Sequence, residues 1–359
     1  MSIEEDVVKH FVDKLKKDFD EMIHKFDKGM DIIYNQPNPE VGLTPKETVY
    51  TQRRVKLYRY LPQKKNTHKI PLLIVYSLIN GYYILDLLPE FSLVNFLLSE
   101  GFDVYIIHWD KPKDNEKDIT FDYYISGYIK SCVEKIKELS GQEKINMLGY
   151  CMGGNMGMIY TACFPEDINA YINLAAPVDF DKGGTLRKWM DENVLDINRI
   201  VESFGNVPTY IMDMAFPWIK PSERLKAMGF LFQNPDNAFY ARLYKALMQW
   251  REDNYDFPGK FARKFLVELY QKNKLLKGKL KIDGKTVNLK DIKCPVLNIV
   301  ARLDYITPPE SAEPFINAVS SEEKETLYID GGHLDIVINM LIRPQVWPPL
   351  VEWLRKNSD

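Results

Sequence analysis

"GYCMGG", residues 149–154, lies between the apolar run Ile145-Asn146-Met147-Leu148 and a second, longer stretch, Asn155-Met156-Gly157-Met158-Ile159-Tyr160. The first run reads as a short strand and the second as a helix. Glycines flank Cys151 in the order G-x-C-x-G, Gly149-Tyr150-Cys151-Met152-Gly153. Such glycines let a strand and the helix after it approach without a Cβ between them. The turn then presents one side chain, Cys151, at its tip. Serine is the usual occupant of such a turn, so the cysteine needs its own account.

Working outward, strands and helices alternate. "VKLYRYL", "PLLIVYSLI", "FDVYIIHW", "KINMLGY" and "INAYINLAAPV" read as strands, and "FSLVNFLLSEG" and "DYYISGYIKSCVEKIKELSG" read as helices ended by Gly101 and Gly141. Apolar strands alternating with helices imply a mostly parallel sheet covered on both faces. The alternation stops near Asp181. The next hundred or so residues read as helical and irregular, rich in Trp, Tyr, Phe and Met. "PVLNIVARLD" and "KETLYIDGGH" then resume the sheet, and "WPPLVEWLRKN" reads as a closing helix. The fold class expected is α/β, an α/β-hydrolase with helices on both faces of the sheet and an inserted helical cap. The expected boundaries are residues 1–35 for an N-terminal amphipathic helix, 36–180 and 286–359 for the core, and 181–285 for the cap.

The N-terminal helix is read from Val8, Phe11, Val12, Leu15, Phe19, Met22, Ile23, Phe26, Met30 and Ile33, which recur at three- and four-residue steps among charged residues. Such a face packs on its own domain or on a partner, and the pattern does not choose. Composition narrows the classes further. The chain has 359 residues, 45% of them hydrophobic, enough for a large core, and a net charge of −3. That charge gives no reason to expect nucleic acid or an acidic membrane surface. No stretch approaches the ~18 uninterrupted apolar residues of a membrane span, and "MSIEEDVVKH" lacks the plan of a signal peptide. A cytoplasmic protein is expected.

Four cysteines and five histidines show neither a Cys-x-x-Cys pair nor zinc-type spacing. A lone Cys is most often a small buried hydrophobe, the reading that suits Cys132, Cys163 and Cys294. Cys151 differs because two further residues complete a constellation. Asp304 follows the strand "VLNIVARL" and His333 follows "TLYIDGG", so nucleophile, acid and histidine occur in α/β-hydrolase order. Both partners fall at carboxyl ends of parallel strands, where such sheets build their sites. An ordinary thiol is only a few per cent thiolate near neutrality. A histidine takes its proton, the helix N-terminus after Cys151 favours the negative sulfur, and an aspartate orients the histidine. The backbone N–H groups of Met152 and of Ile79, in the loop after "VYSLI", are the expected oxyanion donors. His108 ends an earlier strand and reads as structural. His10, His24 and His68 carry no signal.

Several stretches resemble the catalytic subunit of polyhydroxyalkanoate synthases: "VGLTPKETVYTQRRVKLYRY", "VYSLINGYYILDLLP", "GYCMGG", "APVDF", "WREDNYDFPGKFARKFLVELYQKNKLLKG" and "PPLVEWL". The resemblance spans nearly the whole chain, and length and opening helix look most like the short, two-subunit types, classes III and IV. It implies polymerisation of (R)-3-hydroxyacyl-CoA into a polyester with release of CoA. The residues that match the family's catalytic set are Cys151, Asp304 and His333. No cofactor is implied, acyl-CoA being the substrate. The partners implied are a second synthase subunit and the polyester granule, with a homodimer as a further arrangement, and the location implied is the granule surface in the cytoplasm. Three places depart from the family pattern. Gly81-Tyr82 follows Asn80 where a basic residue and then Pro or Phe are usual, Tyr305 follows Asp304 where His is usual, and Leu334-Asp335 follow His333 where Ile-Gly is usual. The alternatives are a Cys-type hydrolase acting on an ester, thioester or lactone, and a non-catalytic granule-associated homologue.

Overall fold

The computed structural model describes residues 3–63 and 68–358. Met1 and Ser2, the start of the expected N-terminal helix, and Asp359, the end of the expected core, lie outside the described residues. Along the chain α1 (Ile3–Tyr34) precedes strands β1 (Lys46–Gln52), β2 (Val55–Tyr60) and β3 (Leu72–Val75). Then come α2 (Leu93–Ser99), β4 (Val104–His108), α3 (Lys130–Ser140), β5 (Ile145–Tyr150), α4 (Met152–Cys163) and β6 (Ile168–Leu174). Short helices lead to α5 (Pro221–Gln233) and α6 (Ala238–Glu252). Strands β7 (Val296–Ala301) and β8 (Lys324–Ile329) and helix α7 (Arg343–Lys356) follow. The chain forms two compact units. One joins the segment up to Val41 with Lys220–Glu252, and the other joins Gly42–Ile219 with the chain from Asp253 onward.

The larger unit holds an eight-stranded sheet in the order β1-β2-β4-β3-β5-β6-β7-β8. The β1–β2 and β2–β4 pairs are antiparallel and the rest are parallel. This is the mostly parallel α/β-hydrolase sheet that the alternation predicts. Every residue of β3, β5 and β7 is buried, the state of a strand covered on both faces. Register levels the strands at one edge. Val75 pairs with Gly149, Tyr150 with Leu174, Leu174 with Ile299, and Ala301 with Ile329. Whatever follows Tyr150, Ala301 and Ile329 therefore meets along a single rim. A buried charge anchors the helical layer behind it. The Asp167 carboxylate accepts from Lys130 at 2.7 Å, Lys137 at 2.9 Å and the Tyr160 hydroxyl at 2.6 Å, which ties α3 and α4 to the start of β6. A buried carboxylate is tolerated only when paired in this way.

The smaller unit is α1 with α5 and α6. Phe26 stacks on Phe232 at 5.6 Å, Ile32 packs with Leu231 and Ala241, and Lys28 pairs with Asp236. The last turns of α1 thus find cover within the unit. Its earlier apolar residues do not. Val8, Phe11, Leu15, Phe19 and Met22 are all exposed. No helix among the described residues is long and apolar enough to cross a membrane.

Candidate active site

Strand β5 delivers Cys151 to the rim, and the backbone turns sharply there. Cys151 has φ +56° and ψ −130°, outside the conformations an L residue ordinarily takes. Hydrogen bonds enforce the turn. The Cys151 N–H donates to Leu174 O at 3.0 Å, and Gly154 N–H donates to Cys151 O at 2.8 Å. The glycine of the motif is needed for close approach. A Cβ on Gly153 would lie 2.1 Å from the carbonyl oxygen of Val75 at the end of β3. With that Cβ absent, α4 starts directly against the backbone that leads into the loop of Ile79. Met152 is the first residue of α4, so its N–H belongs to the helix end, which has no intrahelical acceptor. The Ile79 carbonyl accepts from Tyr255 N–H at 2.9 Å, and Asn80 donates to Asn254 at 2.5 Å, so this loop is fixed from its outer side.

The other two residues arrive from β7 and β8. Asp304 is buried just beyond β7. One carboxylate oxygen accepts from Ile306 and Thr307 N–H, both at 2.8 Å, and the other meets His333 Nδ1 at 2.6 Å. The loops carrying the two are joined, since Leu303 N–H donates to Gly331 O at 3.0 Å. With Nδ1 held by Asp304, Nε2 is the ring nitrogen left for Cys151, whose side chain acts on the imidazole. Burial works against a charged imidazole. The Asp304 charge, the Cys151 charge and the hydrogen bonds to both nevertheless raise the His333 pKa well above the ordinary value. The structure thus brings Cys151, His333 and Asp304 into one connected line, with Met152 at the same turn and Ile79 in the adjoining loop. Such a line can pass a proton from sulfur to ring and stabilise the ion pair that results.

The remaining thiols and His108 are insulated. Burial pushes Cys132 and Cys294 up to about 12 and Cys163 up to about 11. Burial likewise pushes His108 down to about 4, and its ring stacks on Tyr58 at 5.5 Å and meets the edge of Tyr82 at 5.0 Å. Of the three departures, Gly81 precedes the 3₁₀ turn Tyr82–Leu85 and is covered by the Tyr83 ring. Tyr305 directly follows Asp304, and Asp335 folds back on the His333 loop. Sequence reasoning missed three neighbours of the site. Tyr150, a mere spacer in G-x-C-x-G, stacks on His333 at 5.3 Å and donates to its carbonyl oxygen at 2.7 Å. Tyr76 and Tyr270 are buried where the charge of Cys151 adds to burial in raising their pKa values. Tyr270 also packs on Phe180 at 4.8 Å, on the wide helical turn Phe265–Gln271. Wide turns of this kind recur at functional sites, but nothing in the local sequence announces one.

Comparison with known proteins places this geometry in a family. Residues 70–339 match the α/β-hydrolase fold family, and residues 8–97 match the family described as poly-beta-hydroxybutyrate polymerase (PhaC) N-terminus. The poly(3-hydroxyalkanoate) polymerase subunit PhaC of Haloferax mediterranei is 36% identical over 94% of this chain and 69% of its own length. The protein of the same name from Allochromatium vinosum is 33% identical over 96% of this chain and 98% of its own. Among solved structures, the monoacylglycerol lipase of Paleococcus ferrophilus superposes with a TM-score of 0.52 at 16% identity, over 84% of this chain and 99% of that one. At that identity the likeness is one of fold alone. An eight-stranded hydrolase sheet, a cysteine on its sharp turn and relatives matched over nearly all of this chain lead to one assignment: the chain belongs to the PhaC family of poly(3-hydroxyalkanoate) polymerase subunits, acyltransferases on the α/β-hydrolase fold.

Proposed function

We propose that this chain polymerises (R)-3-hydroxyacyl-CoA into polyester and releases CoA, with Cys151 as nucleophile, His333 as base and Asp304 as the residue that orients it. The observation that carries the reading is the likeness to PhaC subunits along almost the full length of both chains, with cysteine on the turn. His333 takes the Cys151 proton, and the sulfur attacks the thioester carbonyl. The new Cys151–acyl bond replaces the bond to CoA, and CoA leaves with the proton. The 3-hydroxyl of a second acyl unit then gives its proton to His333 and attacks the acyl carbon. An ester forms, and the bond to Cys151 breaks. Exchange of one thioester for another is nearly balanced, so the acyl group stays activated between the steps, whereas a serine ester would lose that activation. This accounts for the cysteine. The N–H groups of Met152 and Ile79 hold the oxyanion in both steps. The buried Tyr270, on which the Cys151 charge acts and which packs on Phe180, is the aromatic group placed to keep water from the acyl-enzyme.

We further infer that a second, smaller synthase subunit activates this chain and covers the exposed apolar face of α1. Relatives bear the name polymerase subunit, and Phe11, Phe19 and Met22 are 55–60% exposed. The lengthened chain, now the thioester of the second unit's CoA, returns to Cys151 by the first step with loss of that CoA, and a protein that carries it so works at the surface of a polyester granule. The test is to incubate the purified chain, with and without its candidate partner, with (R)-3-hydroxybutyryl-CoA while following CoA and turbidity. CoA release with growing turbidity is the expected result. CoA with free hydroxy acid and a clear solution would move the protein to the hydrolases. No CoA release and a Cys151 inert to iodoacetamide would make it non-catalytic. Full activity of the single chain without a lag would refute the second subunit.

A further inference from the structure

Asp304 fixes the His333 ring, and a second set of contacts fixes its backbone. The chain doubles back after Gly331-Gly332. Asp335 Oδ2 accepts from Gly332 N–H at 2.7 Å, Asp335 N–H donates to Gly332 O at 3.2 Å, and Asn339 Nδ2 donates to Asp335 Oδ1 at 3.1 Å. The fold-back needs glycine, because a Cβ on Gly331 would lie 2.9 Å from the Asp335 Cβ and 3.0 Å from Ile342 Cγ2. On the other side of His333, the fully buried Tyr150 donates to the His333 carbonyl at 2.7 Å and stacks on the ring at 25°. The Asp335 carboxylate thus holds the Gly331–Gly332 peptide, the Asp335 N–H holds the Gly332 carbonyl just before His333, and Tyr150 holds the carbonyl of His333 itself. Burial, with lesser contributions that include Asp335, raises the Tyr150 pKa, and the phenol keeps the proton that it donates.

We propose that Tyr150 and Asp335 are positioning residues for His333: they fix its backbone so that the ring nitrogen not bound to Asp304 stays aimed at Cys151 and the incoming hydroxyl. The proposal rests on the reading of His333 as the base. An aspartate two residues after the histidine then has a use that a side chain without an acceptor cannot supply. Misplacement of a catalytic group by about 1 Å costs around a hundredfold in rate. The expected signature is accordingly a loss in kcat with KM little changed.

The test compares Asp335→Ala, Asp335→Asn and Tyr150→Phe with the unaltered protein. The amide of Asp335→Asn still offers an oxygen to Gly332 N–H. Tyr150→Phe keeps the stacked ring and removes only the donor. CoA release from (R)-3-hydroxybutyryl-CoA should show kcat lower by about ten- to a hundredfold for Asp335→Ala and Tyr150→Phe. KM should stay within about twofold, and Asp335→Asn should recover most of the loss. Equal damage by Asp335→Asn and Asp335→Ala, or wild-type kcat in both Asp335→Ala and Tyr150→Phe, overturns the proposal. Should Asp335→Ala fail to fold, Tyr150→Phe and Asp335→Asn carry the same decision. Iodoacetamide labelling of Cys151, read by peptide mass, separates this from failure of the polymerase reading. If the unaltered protein releases no CoA, the polymerase reading fails. The labelling rates must still fall in Asp335→Ala and Tyr150→Phe toward that of His333→Gln, and an unchanged rate refutes the positioning role by itself.

Discussion

The helix that follows Cys151 and the helix that opens the chain relate pattern to burial in opposite ways. In α4 every residue from Met152 to Ala162 is buried, the polar Asn155 and Thr161 included. Asn155 donates to Pro177 O at 2.5 Å and Thr161 to Gly157 O at 2.8 Å. Helix α1 has a clear apolar stripe, and most of that stripe faces solvent. A stripe thus states which face of a helix lacks water-compatible groups, and says nothing of what covers it. The helix with almost no polar side lies at the centre of the fold and holds the nucleophile at its N-terminus. The helix with the better pattern is left to meet something else.

If this contrast is right, changes at the start of α4 should be severe and changes along α1 mild. The largest effect expected is that of Cys151→Ala. It should lower CoA release by about a thousandfold or more in a protein that melts normally, and comparable turnover would remove Cys151 from the chemistry. Next is a matched pair of glycine substitutions. Gly153→Ala drives a methyl into the Val75 carbonyl and should cost roughly 3 kcal/mol or more. Gly229→Ala, inside α5 with nothing within 4 Å of the new Cβ, should stabilise by up to about 1 kcal/mol. Urea unfolding checks both, and the same sign for the two would break the contrast.

A smaller effect is expected from pH. The folded pKa of His333 is raised, so its contribution to stability is complete below the unfolded value of about 6.5. It is lost as pH climbs from there through the folded value. Stability should fall with pH across that window. Asp304→Asn, which removes the leading attraction on the ring, should flatten the fall. Urea midpoints at pH 6 and pH 9 decide the matter, and parallel slopes in the two proteins would contradict it. The smallest effect on stability is expected from Phe19→Asp combined with Met22→Lys. Both positions are exposed, so melting should change by no more than about 0.5 kcal/mol, while co-purification of a second subunit weakens. A loss of several kcal/mol would mean that α1 is buried on its own chain in solution.

How much of this was legible beforehand follows the same division. The sheet could be read because its strands are apolar runs bounded by turns. Cys151, Asp304 and His333 could be read because each lies within four residues after the end of such a run. Strand order could not, since β4 lies between β2 and β3 only through pairings distant in sequence. The grouping of Lys220–Glu252 with α1 was equally hidden. It depends on Phe232 lying over Gly29 and stacking on Phe26, a fit of shapes that no periodicity encodes. Asp335 was visible only as a departure from a family pattern, because its use comes from a fold-back that two glycines permit.

The dihedral angles of Cys151 have a consequence for how such a protein can change over time. Its backbone lies in a region that costs a residue with a Cβ about 1–3 kcal/mol and costs glycine almost nothing. The sequence most tolerant of heat would therefore carry glycine at position 151 and would have no nucleophile. A lineage selected only for robustness should lose this cysteine early, and one still making product should keep it against that pull. Its retention in a warm-adapted descendant would then be a record of continued use.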